Sequence, residues 1–191
     1  MQVNFALPDS ITSGKTSNGT AWSRVGSGKT LVLLHGVGMN KSVWAPEVNL
    51  LSDSFDVLIF DMWGHGNSDL PTGELSLTDY TNQLANLLSE LKISDAFIAG
   101  HSMGGLIAID FALAHPDVCA GICALNAVFN RTPSQSDAVK KRAADLAAGG
   151  ITVNLADTLH RWFGEAGEHE FPDAESLAKQ LLLAVNPAGY A

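Results

Sequence analysis

Three continuous apolar runs, "TLVLLH" at 30–35, "DVLIFD" at 56–61 and "DAFIAGH" at 95–101, each lead straight into a glycine-bearing turn. A run with no polar alternation suits a strand buried on both faces. "GICALNA" at 121–127 reads as a fourth strand of the same kind, and shorter alternating stretches at 2–6 and 21–26 read as early strands. Helical patterns lie between the runs. In "SLTDYTNQLANLLSELK", Leu77, Tyr80, Leu84, Leu87, Leu88 and Leu91 recur at helical spacing, and Ser76 with Asp79 opens the segment as a capping box. A second helix is expected from Leu106 through Leu113, stopping near His115-Pro116. Buried strands alternating with helices imply an α/β fold, a mostly parallel sheet with helices on both faces. The glycine turns then fall at the strand C-terminal ends, where open α/β sheets carry their sites.

The pattern changes after residue 130. No buried-strand run follows, and three helices are expected over roughly 134–148, 151–163 and 173–185. The chain divides on this reading into 1–130, the strand–helix part, and 131–191, a helical cap. A length of 191 residues with 46% hydrophobic and 16% charged residues is that of a globular chain with a real core. The net charge of −9 repels phosphate backbones and argues against nucleic acid as a partner. No apolar run approaches the length of a membrane span, and the start lacks the basic-then-apolar pattern of a signal peptide. Cys119 and Cys123 lie in an apolar segment without ligand-spaced partners, so they read as small core residues in a reducing, cytoplasmic setting.

The sharpest chemical signal is Gly100-His101-Ser102-Met103-Gly104. In G-x-S-x-G the glycines let a strand turn sharply into a helix and expose the serine oxygen at the tip. The Met103 N–H then points at a reacting carbonyl, aided by the helix dipole. An oxyanion hole needs a second donor, and the turn "HGVGMN" after the first run offers the N–H of Val37. In the third turn, "DMWGHGNSD", Asp61 and His65 are expected to fix the turn rather than react, and His101 is expected to be structural too. Trp44, Trp162, Phe163 and Met103 are candidates for an apolar pocket under the cap, with core packing an equal explanation for each aromatic. Arg161 is a candidate carboxylate anchor, or simply an exposed cap arginine.

Other motifs fail. "GSGKT" at 26–30 is followed by a strand rather than a helix, and Lys41 stands where a dinucleotide fingerprint needs glycine. Glu165, Glu168, His169 and Glu170 read as a solvated acidic stretch rather than a metal site. No metal or organic cofactor is implied.

The motifs "LLHGVG", "DMWGHGNSD" and "GHSMGG", in this order, resemble those of the α/β-hydrolase superfamily. The resemblance covers residues ~20–127 and implies Ser102 as nucleophile with the Val37 and Met103 N–H groups as oxyanion donors. "AADLAAGGITVNLADTLHRWF" and "VNPAGYA" are similar to the cap of 3-oxoadipate enol-lactonases and small carboxylesterases. The implied activity is hydrolysis of a small-molecule ester or lactone through an acyl-enzyme. C–C bond hydrolysis and perhydrolysis would use the same serine.

The family's chain order is Ser, then Asp or Glu, then His. Neither an acid after the cap nor a late histidine is present, and Asn126 stands in an alternative acid position. His160 and His169 follow Ser102 in sequence, and His160, on an expected cap helix that could cover the site, is the candidate substitute base. The chain is therefore expected to lack the last strands and helices of the sheet, with its acid and base beyond Ala191. It is also expected to expose an apolar sheet edge and to be poorly soluble or partly folded. The competing reading is a non-catalytic ligand-binding or vestigial hydrolase-fold fragment.

Overall fold

A computed structural model describes residues 4–149, 152, 155–165 and 167–190. Six strands, β1 (Thr12–Lys15), β2 (Ala21–Gly26), β3 (Thr30–Leu34), β4 (Asp56–Phe60), β5 (Ala96–His101) and β6 (Cys119–Leu125), form one sheet in the order β1-β2-β4-β3-β5-β6. The pairs β3–β4, β3–β5 and β5–β6 are parallel, and β1–β2 and β2–β4 are antiparallel. A helix, α1 (Ala45–Leu51), covers one face, and α2 (Leu77–Glu90) and α3 (Met103–Ala114) cover the other.

The absence of alternation in the central strands follows from this layering. Val32, Leu34, Leu58, Phe60 and Ile98 pack against Leu84, Leu87 and Leu88 of α2 and Ile107, Ala108 and Phe111 of α3. Their neighbours Leu33, Val57, Ile59 and Ala99 pack against Trp44 and Val48 on the opposite face. The capping box of α2 is formed: Ser76 accepts from the Asp79 N–H, and the Asp79 carboxylate accepts from the Ser76 N–H at 2.8 Å. Across the sheet, Arg24 donates to Asp56 from Nε at 2.7 Å and from a terminal nitrogen at 2.5 Å, and Thr30 Oγ1 donates to the same carboxylate at 2.9 Å. That one buried carboxylate ties β2, β4 and β3 in register.

Two expected strands are corrected. The first strand is not at 2–6: residues 4–5 carry no strand, positions 2–3 lie outside the described residues, and β1 begins at Thr12. β1 is a short polar edge strand, with no apolar face to reveal it in the sequence. It is fixed instead by its hairpin with β2 and by Gly14, where a Cβ would lie 2.7 Å from the Trp22 ring. β6 is not buried on both faces. It is an outer strand with α3 packed on one side, and Ile122 and Leu125 are 45% and 41% exposed. Cys123 is exposed and Cys119 half-buried, so the pair is not the core pair expected. Beside β6 an apolar groove of about 240 Å³ opens on the sheet, lined by Leu31, Phe55, Phe97, Ala99, Ile122 and Cys123.

All described elements after β6 are helical: α4 (Pro133–Gly149), α5 (Leu155–Phe163), α6 (Gly167–Glu170), α7 (Pro172–Ala184) and α8 (Pro187–Tyr190). Positions 150–151 and 153–154, within or beside the expected second cap helix, lie outside the described residues. These helices share a core of Leu146, Leu159, Ala178, Leu181 and Leu182 that closes on Met39, with Val43 and Phe163 at its margin. Among the described residues no helix is long and apolar enough to cross a membrane.

An outer strand with an apolar groove and unpaired backbone groups is a template for self-association. The 191-residue chain is expected to associate reversibly with rising concentration in sedimentation velocity, and Ile122→Lys to weaken that association. A sharp monomer boundary at all concentrations would contradict this.

Candidate functional site

Ser102 sits between the end of β5 and the start of α3 with φ 56° and ψ −116°. Positive φ in a non-glycine residue is strained and needs surrounding structure to hold it. Here the Ser102 N–H donates to the Leu125 carbonyl at 2.9 Å, and the Ser102 carbonyl accepts from the Gly105 N–H at 3.0 Å. Glycines make the turn possible by close approach. A Cβ on Gly104 would lie 2.5 Å from the Leu34 carbonyl oxygen and 2.7 Å from that of His35, and a Cβ on Gly100 would overlap the Gly104 carbonyl.

The turn after β3 lies against this elbow. A Cβ on Gly36 would be 3.2 Å from Ser102 Cβ and from His101 Nδ1. Among the described residues neither the Val37 nor the Met103 N–H donates a hydrogen bond, so the N–H of each residue that follows Gly36 and Ser102 is unspent. The Ser102 hydroxyl likewise has no hydrogen-bond partner among them. Asn126, next to the Leu125 carbonyl that holds Ser102, is exposed and has φ 50°.

The third glycine turn is a buried polar clasp. The Asp61 carboxylate accepts from the Lys41 N–H at 2.7 Å, from Lys41 Nζ at 2.6 Å and from the Asn67 N–H at 2.9 Å. Gly66 lies so close that a Cβ there would overlap this carboxylate. His65 Nε2 accepts from the Gly38 N–H at 3.1 Å, while His35 Nε2 accepts from the Met62 N–H at 3.0 Å. Burial pushes the His35 imidazole down to about 3, helped by the neighbouring His65, and burial also lowers His65 against the pull of the Trp63 carbonyl and Asp61. Asp61 and His65 thus fix the turn. His35 belongs to the same clasp and was missed in the sequence. A histidine at a strand end just before glycine was the available signal.

The other sequence candidates are scattered. Trp44 is buried among Leu33, Val48, Val57, Ile59 and Ala99 on the α1 face, so it is a core residue and not a wall of an open pocket. Phe163 packs at the seam between the cap helices and Met39, Trp162 is 42% exposed, and Met103 is half-buried against the α2–α3 core. Arg161 is exposed, 3.4 Å from Thr158 Oγ1. His160 lines a cleft of about 370 Å³ with Leu159, His169, Glu175 and Lys179, and no residue of the elbow or the glycine turns borders that cleft. Among the described residues no cluster of three or more His, Cys, Asp or Glu could hold a metal ion.

The cap touches the core at Met39 and again where Gly189 of α8 meets Gly64 of the third turn. A Cβ on Gly64 would lie 2.6 Å from Gly189 Cα, and one on Gly189 would overlap the Gly64 carbonyl. Gly189→Ala is expected to lift α8 from the core and destabilise the chain by about 1–3 kcal/mol, the usual cost of overpacking. Urea unfolding and faster proteolysis within 172–190 measure it. The histidines add a pH dependence. Both imidazoles are held below their unfolded value of 6.5, so unfolding takes up protons in acid. Stability is expected to be flat above about pH 6.5 and to fall as pH drops below it towards about 3. A urea midpoint unchanged between pH 7 and pH 5 would contradict neutral buried imidazoles.

Comparison with known proteins agrees with this geometry. The family described as alpha/beta hydrolase fold matches residues 29–172. Over 165 residues the chain is 34% identical to (E)-2-((N-methylformamido)methylene)succinate hydrolase of Acinetobacter baylyi, covering 86% of this chain and 61% of that protein. It is 34% identical over 99 residues to a putative carbamate hydrolase of Serratia proteamaculans, covering 51% of this chain and 37% of that one. The crystal structure of the enol-lactonase from Burkholderia xenovorans LB400 matches with a TM-score of 0.83 and 28% identity, over 91% of this chain and 68% of that one. The chain thus spans about three fifths of the length of the Acinetobacter relative. The chain belongs to the α/β-hydrolase fold family.

Proposed function

We propose that this chain carries the nucleophile half of a serine hydrolase acting on carboxylic esters or lactones through an acyl-enzyme. The observation that carries the reading is the strained Ser102 elbow, with the unspent N–H groups of Met103 and Val37 beside it. A strained backbone at a strand–helix turn persists only when the surroundings enforce it, and such strain collects at reactive sites. Ser102 Oγ attacks the acyl carbonyl, and its proton passes to an imidazole base. The carbonyl oxygen becomes an oxyanion that accepts hydrogen bonds from the two N–H groups. The leaving alcohol departs with a proton from the same imidazole, and water then releases the acyl group.

The base is the missing component. No described histidine reaches Ser102, and His160 faces a separate cleft. The base and its acid are proposed to lie in a part of the protein that this chain does not contain, which fits the share of its relatives that it spans. The relatives are named as an (N-methylformamido)methylene succinate hydrolase, a putative carbamate hydrolase and an enol-lactonase, which supports hydrolysis at an acyl carbonyl more than any one substrate.

The reading is tested with a fluorophosphonate probe, which reports activated serines. A longer protein containing this sequence is expected to label stoichiometrically at Ser102 and to lose labelling and esterase activity by at least about 10³-fold in Ser102→Ala. The 191-residue chain alone is expected to label no faster than its own Ser102→Ala variant. Retained activity in Ser102→Ala would overturn the reading. Rapid labelling of Ser102 in the chain alone would overturn the placement of the base and favour one inside it. Absence of labelling in every form would favour a non-catalytic binding role.

A further inference from the structure

The glycine turn after β3, which lies against Ser102, is stitched to the turn after the adjacent strand β4 by a pair of buried imidazoles running in opposite directions. His35 stands at the root of the first turn and accepts the Met62 N–H of the third turn at Nε2. His65 stands in the third turn and accepts the Gly38 N–H of the first turn at Nε2. Each Nδ1 faces a carbonyl: Gly36 at 2.8 Å for His35, and Trp63 at 3.1 Å for His65. A backbone N–H can only donate and a carbonyl can only accept. Both rings are therefore neutral, with the proton on Nδ1. The rings lie 5.3 Å apart, inclined at 57°.

The consequence falls on one peptide unit. The Gly36 carbonyl accepts from His35 Nδ1 and from the Met39 N–H at 3.2 Å. A trans peptide places its N–H on the edge opposite its carbonyl, so fixing the Gly36 oxygen fixes the direction of the Val37 N–H. His65 fixes the following unit through Gly38, whose φ of 81° depends on glycine. The Val37 N–H, bonded to nothing described, is left aimed by its neighbours.

We infer that His35 and His65 are positioning residues of the site, orienting the Val37 N–H as an oxyanion donor beside Ser102. This rests on the function proposed above, and it assigns both imidazoles a role without contact with substrate. The charged groups around the pair are Asp61, which favours protonation of both rings, and Lys41, which opposes it at His35. Burial outweighs Asp61 and keeps both rings neutral.

The test is solution NMR on the 191-residue chain, with acetate as the probe because it presents a carboxylate oxygen like that of an acyl product. Ring nitrogen spectra are expected to show both histidines as neutral Nδ1–H tautomers, unchanged from pH 7.5 to pH 5.5. Acetate is expected to shift the Val37 and Met103 amides along one saturation curve. In His65→Ala and His35→Ala the Val37 response is expected to fall at least threefold while Met103 still responds. His65→Gln, which keeps an acceptor for the Gly38 N–H, and His35→Asn, which keeps a donor for the Gly36 carbonyl, are expected to restore it. An equal Val37 response in both alanine variants overturns the positioning role alone. Silence of both amides in the unmodified chain overturns the oxyanion-hole reading as well. Where an alanine variant does not fold, the ring spectra decide: a charged ring or an Nε2–H tautomer at pH 6 overturns the inference.

Discussion

The contact on which the rest of the site depends is backbone against backbone. The first turn of α3 rests under the end of β3, with Gly104 pressed against the Leu34 and His35 carbonyls. Only glycine permits that approach, and only the parallel β3–β5 pairing brings the two segments to the same end of the sheet. With both in place, the turn that follows β3 lies beside the serine that follows β5. The backbone of Gly36-Val37 and the serine at 102, segments about 65 residues apart and proposed to supply a donor and a nucleophile, are thereby brought to one end of the sheet by main chain alone.

Much of this was legible. Unbroken apolar runs announce central strands because both faces of the sheet are covered there, and the glycine turns announce the strand ends. The Ser76–Asp79 capping box is visible because both partners lie within one helical turn. What escaped depends on distant partners. β1 carries no hydrophobic pattern, because its pairing rests on backbone bonds and on a glycine that admits the Trp22 ring. β6 looks like a buried strand because its composition is apolar, yet composition does not say what packs beside it. Trp44 could equally have lined a pocket or a core. Its neighbours Val48 and Ile59 lie in separate elements, so only the fold decides between the two.

Polar burial in this molecule is concentrated where register and turn geometry matter. Asp56 binds Arg24 and Thr30 across three strands, and Asp61 binds Lys41 and the backbone of Asn67 at the third turn. Ion pairs of this kind add little net stability after desolvation, but removing one partner leaves a buried charge exposed to a large penalty. Their effect is to make alternative arrangements of the same segments costly. The neutral imidazoles of His35 and His65 extend that restriction from the strands to the turns, and the Met39 cluster extends it to the cap.

The two seats of the cap differ in kind. At Met39 the contact is made by flexible side chains, which can repack around a new shape. At Gly64 and Gly189 it is made by bare main chain, with no atoms between the two backbones that could yield. The second seat therefore acts as a hard stop and the first as a soft bearing. A change in how the helices after β6 sit on the sheet is absorbed by side chains around Met39, whereas a side chain at Gly64 or Gly189 forces α8 and the third turn apart.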